Sequence, residues 1–93
     1  MFHINLLCED SNYVLSSDTE LPRGEVERLR LTIVRAFKKI AEGLTVREAI
    51  ERGVWKYNKG TPAERNVRVS DDDGVYTFEH FLSVEIPTLE VKA

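Results

Sequence analysis

The chain has 93 residues, of which 42% are hydrophobic and 31% are charged, and its formal net charge is −3. This length supports one hydrophobic core and is too short for two, so we expect a single domain spanning residues 1–93. One cysteine excludes an internal disulfide, and no apolar run approaches the roughly 20 residues of a membrane span. We therefore expect a soluble cytoplasmic protein that does not contact a membrane.

The charges are unevenly distributed along the sequence. Residues 1–21 carry four acids and no Lys or Arg, residues 22–60 carry ten bases and five acids, and residues 61–93 carry three bases and seven acids. This division is typical of a basic binding face, or of an acidic sheet that holds a basic helical layer through internal ion pairs. We favour internal pairing.

The first fifteen residues have the pattern of a β-hairpin. Phe2, Ile4 and Leu6 are every second residue, which is the period of a half-buried strand. Residues 9–12 are turn formers, and Tyr13–Leu15 is suited to return as a second strand.

A long amphipathic helix is predicted over residues 22–42. Pro22 suits its first turn and Gly43 its end. At 3.6 residues per turn, its apolar residues fall on one stripe that is wide enough to bury against a sheet. These residues are Val26, Leu29, Ile33, Phe37, Ile40 and Leu44.

A second, short helix is predicted after the first. Thr45 and Glu48 have the spacing of a capping box, in which each side chain bonds to the backbone N–H of the other residue. Gly53 is expected to end this helix. Residues 54–63 are rich in turn formers and are predicted to form a loop.

The C-terminal third is predicted to be a second hairpin. Val67 and Val69 alternate with polar residues, residues 71–74 are turn formers, and residues 75–86 are rich in β-branched and aromatic side chains. Residues 88–91 are expected to form a last edge segment or to fray. The predicted fold is α+β: an antiparallel sheet of about four strands, in the order β-β-α-α-β-β, with one long and one short helix packed on one face.

Basic residues form a stripe on the long helix, opposite its apolar face. Four like charges with few acids among them are typical of a solvated surface, or of a surface that binds an acidic partner. Leu31 lies on the same polar side, and a position beside Trp55 or Tyr57 would make it part of a protein-binding patch. The basic residues of the stripe are Arg28, Arg35, Lys38 and Lys39.

The predicted loop contains Trp55–Lys59, the segment whose composition is most typical of a binding site. It combines Trp55 and Tyr57 with Lys56 and Lys59. The rings either close the core where helix meets sheet, or contact a protein partner, or stack on bases while the lysines neutralise phosphates.

Residues 43–53 resemble a helix-turn-helix unit, in which Arg47 would be the natural base contact. The resemblance covers about thirty residues when the preceding helix is included, and it implies reading of a DNA major groove. The short second helix and its acids Glu48 and Glu51 argue against that function.

The sequence offers few groups for catalysis. His3, Cys8 and His80 are the side chains suited to nucleophile or base chemistry near neutral pH. An enzyme would need Cys8 and His80 within hydrogen-bond reach in a cleft. No phosphate-binding loop or metal-ligand spacing occurs, so we expect no enzymatic activity, no cofactor and no metal site.

The function we predict is that of a small binding or regulatory module that contacts a protein partner. Such accessory domains include those encoded by phages and mobile elements. The alternative is a nucleic-acid-binding protein that uses the same surface. Two copies pairing at open sheet edges would form a homodimer. The residues assigned to partner binding are Arg28, Leu31, Arg35, Lys38, Lys39, Trp55, Lys56, Tyr57 and Lys59.

Overall fold

The computed structural model describes residues 1–38, 43–71, 74 and 76–85. Within them, four strands and two α-helices follow one another in the predicted order β-β-α-α-β-β, with a short 3₁₀ helix before the third strand. The elements are β1 (Phe2–Cys8), β2 (Ser11–Ser17), α1 (Arg23–Ala36), α2 (Val46–Lys59), the 3₁₀ helix (Ala63–Arg65), β3 (Val67–Asp71) and β4 (His80–Val84). No helix in these residues is long and apolar enough to cross a membrane. The predicted end of the first helix at residues 39–42 and the segment 88–91 lie outside the described residues.

The sheet is mixed, so the prediction of an antiparallel sheet is wrong. Its strand order is β3-β2-β1-β4, with β1 antiparallel to β2, β2 antiparallel to β3, and β1 parallel to β4. Because β3 and β4 run in the same direction at opposite edges, they do not form the predicted C-terminal hairpin. The N-terminal hairpin is confirmed, but it occupies the centre of the sheet and offers no open edge for dimerisation.

Both helices pack on one face of the sheet. The side chains of Phe2, Ile4, Leu6 and Cys8 alternate along β1 toward the helices and are buried in one core. The predicted apolar stripe of α1 packs against these side chains, and four of its six residues are buried in the same core. Those four are Val26, Leu29, Ile33 and Phe37, whereas Leu44 is half-buried and Ile40 lies outside the described residues.

Part of the connection from β3 to β4 lies over the other face of the sheet. His3 points to that face, and the centroid of its ring lies 5.0 Å from that of Tyr76, which belongs to this connection. The His3 Nδ1 atom is also 2.9 Å from the Ser16 Oγ atom, and both Ser16 and Val14 are buried. One face of the sheet is therefore covered by the helices, and the other is contacted by Tyr76.

The second helix is longer than predicted, and the predicted loop at residues 54–63 is mostly its continuation. The Thr45–Glu48 capping box is present, but α2 continues past Gly53 to Lys59 and equals α1 in length, at 14 residues each. Gly53 instead packs directly against Ile33 of α1. A Cβ atom placed on Gly53 would lie 2.7 Å from the Ile33 Cα atom.

A polar cluster ties the two helices together beside Gly53. The hydroxyl of the fully buried Tyr57 donates to the Glu25 Oε2 atom at 2.9 Å, and the same oxygen accepts from the Arg28 Nη2 atom at 2.8 Å. The guanidinium carbon of Arg28 lies 4.3 Å from the centroid of the Tyr57 ring. Hydrogen bonds from Arg28 and then from Tyr57 lower the pKa of the Glu25 carboxyl. Burial, followed by the Glu25 carboxylate, raises the pKa of Tyr57.

Asn58 joins α2 to the edge of the sheet. Its Nδ2 atom donates to the Val67 carbonyl at 2.9 Å, and its Oδ1 atom accepts from the Val67 N–H at 2.8 Å. One amide side chain thus takes the place that a neighbouring strand would occupy at the first residue of β3.

We expect Asn58→Ala to lower the free energy of unfolding by about 1–3 kcal/mol, since both polar groups of the partly buried Val67 backbone lose their partner. Urea denaturation should show a lower midpoint with an unchanged m-value. Asn66→Ala is the matched control, because the side chain of Asn66 is exposed and makes no hydrogen bond among the described residues. Equal midpoints for the two variants would contradict the assigned role of Asn58.

Candidate functional site

One exposed face of α2 combines an aromatic ring with three cations. Trp55 and Lys56 each lie three or four residues from both Arg52 and Lys59, which places the four residues on neighbouring positions of one helix surface. All four are exposed, and Trp55 keeps 59% of its surface accessible. The Lys59 Nζ atom lies 5.0 Å from the centroid of the Trp55 ring, within the range of a cation–π interaction. We call these four residues the Trp55 surface.

Trp55 also lines clefts on both sides of α2. One cleft, of about 610 Å³, lies along the helix between Trp55 and its neighbours Glu51, Arg52 and Lys56. The other, of about 430 Å³, separates α2 from the edge strand β3. The residues that line this second cleft are Glu51, Val54, Trp55, Asn58, Arg68 and Val69.

Several charged residues around these clefts form ion pairs, whereas the cations of the Trp55 surface do not pair with a described acid. Arg47 binds both Glu51 and Asp71, and these two acids raise its pKa, with the Glu51 hydrogen bond as the largest cause. The Arg68 Nη2 atom pairs with Asp18 at 3.0 Å. Among the described residues, no acid lies within salt-bridge distance of Arg52, Lys56 or Lys59.

The predicted binding stripe on α1 is only partly available. Arg28 binds Glu25 and stacks on the Tyr57 ring, so its guanidinium is used in contacts between the two helices. Leu31 is 41% exposed, Arg35 and Lys38 are also exposed, and Lys39 lies outside the described residues. Leu31 does not line any of the three described clefts that Trp55 lines.

The predicted aromatic–basic loop is a helix, and its residues separate by face. Trp55, Lys56 and Lys59 point outward, whereas Tyr57 is fully buried and is absent from the surface to which it was assigned. The sequence analysis missed Arg52 because it ended the helix at Gly53. The spacing of residues 52, 55, 56 and 59 would have identified this face if the helix had been extended.

The helix-turn-helix hypothesis finds little support in the position of Arg47. Although α2 is long enough for a recognition helix, the Arg47 guanidinium is bound to Glu51 and Asp71. A base contact would have to break both ion pairs and bring these two acids close to the DNA phosphates.

The proposed pairing of Cys8 with His80 is excluded by the strand register. His80 lies opposite Ile4, and Val84 lies opposite Cys8. Four residues along a strand separate Cys8 from His80 by roughly 13 Å. Burial, followed by the nearby Glu9 carboxylate, raises the pKa of the Cys8 thiol, which disfavours the thiolate. The described part of the chain contains no group of three or more His, Cys, Asp and Glu residues placed to hold a metal ion.

A second exposed aromatic group, which the sequence analysis missed, lies at the β4 edge. Phe81 is 75% exposed, and the centroid of its ring lies 5.8 Å from that of Phe78, which is 6.0 Å from that of Tyr76. The density of aromatic residues between 76 and 81 was the available signal. It was interpreted as the interior of a hairpin, whereas β4 is an edge strand.

No protein-family model, curated protein or solved structure matches the chain. The geometry of the described residues is therefore the basis for a functional argument. The Trp55 surface offers an exposed ring on a helix, three cations that have no acid partner among the described residues, and an adjoining cleft. These features are suited to binding a molecule of opposite charge.

Proposed function

We propose that the chain is a small non-enzymatic binding or regulatory module that contacts a protein partner through the Trp55 surface. The observation that carries this proposal is the exposure of Trp55, at 59%, in the middle of a helix and between Arg52, Lys56 and Lys59. Trp and Arg are the residues that most often dominate the binding energy of protein interfaces.

The position of Trp55 on a helix favours binding for a second reason. The backbone of α2 is fixed by its capping box and by its packing on α1, so a partner would not have to order it. The Trp55 ring is further oriented by Lys59. The cations around the ring would guide an acidic partner toward it and would oppose a basic one.

The test is covalent capture of the partner in an extract of the source cells. A photoreactive amino acid at position 56 should cross-link a protein, and Trp55→Ala should lower the yield by about tenfold or more, as expected for loss of a hot-spot residue. Phe81→Ala is the matched control, because it removes an exposed aromatic ring from the opposite sheet edge. Cross-linking that does not depend on Trp55 would contradict the proposal.

The alternative function is binding of nucleic acid by the same surface, with a base stacked on Trp55 and phosphates bound by Lys56 and Lys59. In a salt titration with a labelled duplex and a labelled single strand, log K falls with log salt, and each lost phosphate contact reduces the magnitude of that negative slope by about 0.7–0.9. Binding whose slope is smaller in magnitude by about 1.4–1.8 in the Lys56→Ala/Lys59→Ala variant would favour this alternative. Absence of binding at low salt would remove it.

A further inference from the structure

The outer edge of β3 is shaped to accept another strand. The N–H and C=O groups of Val67 point away from β2, since both are bonded by the Asn58 side chain. Successive residues of a strand direct these groups to opposite sides. Val69 and Asp71 therefore also direct their backbone groups outward, while Arg68 and Ser70 pair with Ser16 and Val14 of β2.

Asn58 fixes where an added strand would begin. It already satisfies Val67, so an incoming segment would meet the backbone groups of Val69 and Asp71 and would be blocked from extending further toward Val67. Within the described ranges, no strand lies beyond β3 on this side. An unpaired edge of this kind is a template for strand addition.

The cleft beside this edge provides a place for a side chain. It lies between β3 and α2 and is bounded by Val54, Trp55 and Val69. Because strand side chains alternate between faces, every second side chain of an added strand would point toward α2. An apolar side chain at the central position would enter the cleft against Val54 and the Trp55 ring.

The charges around the cleft indicate which side chains would flank that apolar one. Glu51, which lines the cleft, and Asp71, the last residue of β3, are both bound by Arg47. Arg68 is bound by Asp18. The cations of the Trp55 surface have no acid partner in the described part of the chain, so Asp or Glu two residues away from the apolar side chain would complement them.

From these observations we infer that the partner presents an extended acidic segment, which adds to β3 as a fifth strand of the sheet and inserts an apolar side chain beside Trp55. This inference rests on the proposed function, because it assumes a protein partner at the Trp55 surface. It specifies the backbone conformation, the charge and the docking register of the partner.

The experiment uses fluorescent ten-residue peptides with Val, Ile or Leu at a central position and Glu at the second residue on either side. Fluorescence polarisation should show saturable binding, with a Kd at least about tenfold higher when Lys replaces Glu. N-methylation of alternate peptide residues tests strand pairing without changing the charge. Methylation along one edge of the peptide should abolish binding, and methylation along the other edge should not.

Substitutions in β3 test the same strand pairing by changing the protein and not the peptide. Val69→Pro removes an outward N–H without removing a bond to β2, and edge positions of this kind tolerate proline. Val69→Ala is the matched control, because it loses the same half-buried side chain and retains the N–H. We expect the Kd for Val69→Pro to exceed that for Val69→Ala by about tenfold or more.

The outcomes separate this inference from the proposed function. If Trp55→Ala abolishes protein cross-linking while N-methylated peptides and Val69→Pro bind as tightly as their controls, strand addition is wrong and a protein-binding surface remains. Self-association that Val69→Pro abolishes, without acidic peptide binding, would assign the edge to a second copy of the chain and overturn the inference. Peptide binding weaker than about 1 mM throughout the acidic panel would also overturn it.

Discussion

Replacing Gly53 with alanine should destabilise the protein, although the same change in most helices is stabilising. The added Cβ atom would lie 2.7 Å from the Ile33 Cα atom and 3.1 Å from its Cγ1 atom. A rotamer change does not relieve the first contact, because it is with backbone. Overpacking costs about 1–3 kcal/mol, and alanine regains about 1 kcal/mol of helix propensity, so we expect a net loss of up to about 2 kcal/mol.

Gly24→Ala is the matched control for this effect. Gly24 lies in the first turn of α1, and a Cβ atom there would meet nothing within 4 Å. Urea denaturation should therefore show an unchanged or higher midpoint for Gly24→Ala and a lower one for Gly53→Ala. Gly53→Val should be lower still, because its extra methyl groups enlarge the overlap. A rise in stability for Gly53→Ala would mean that the two helices do not approach closely at this position.

Gly53 also shows why the length of α2 was not predictable from local signals. A glycine after a short amphipathic run is a usual helix end, and residues 54–63 contain several turn formers. In the structure, Gly53 packs against Ile33, which is twenty positions earlier in the sequence. The residues next to Gly53 in the sequence give no sign of this contact. The apolar stripe of α1 and the capping box at Thr45 were predictable, because their spacing is set within one helix.

The sheet shows the same division between local and distant information. The N-terminal hairpin was predictable, since alternation along β1 and the turn formers at residues 9–12 lie within a short stretch. The parallel pairing of β4 with β1 places Ile4 opposite His80. These strands are far apart in the sequence, so no turn motif between them indicates that they pair. The turn formers at residues 71–74 favoured a hairpin, but β4 pairs with β1 at the edge of the sheet opposite β3.

The sequence identified most residues of the candidate site but did not predict how they are arranged. Trp55, Lys56 and Lys59 were identified by composition, which is visible in the sequence. Which of these side chains share a face depends on whether they form a loop or a helix, and that depended on Gly53. The edge of β3 is a tertiary feature, because it requires knowledge that β4 pairs with β1 and not with β3.

The largest loss of stability is expected for Tyr57→Ala, because Tyr57 is the largest fully buried side chain among the described residues. Truncation of a buried aromatic ring costs about 3–5 kcal/mol. Tyr57→Phe keeps the ring and removes the hydroxyl that donates to Glu25, so it should cost about 0.5–1.5 kcal/mol. Urea denaturation of both variants measures the two contributions separately. Similar losses for the two variants would mean that the ring contributes little to the core.

The cost of Tyr57→Phe should also depend on pH. The folded pKa of Glu25 lies below its ordinary value, so its contribution to stability is present above that ordinary value and is lost as pH falls through the folded pKa. Tyr57→Phe removes one of the two main causes of the lowered pKa, and Arg28 remains as the other. The stability difference between wild type and Tyr57→Phe should therefore shrink as the pH falls from 7 through the folded pKa of Glu25. The control is the same comparison, with and without Tyr57→Phe, in a protein that carries Glu27→Gln. The pH dependence should persist there, because Glu27 pairs with Arg30 and the Tyr57 hydroxyl donates to Glu25. A difference that does not change with pH would mean that Tyr57 does not stabilise the ionised form of Glu25.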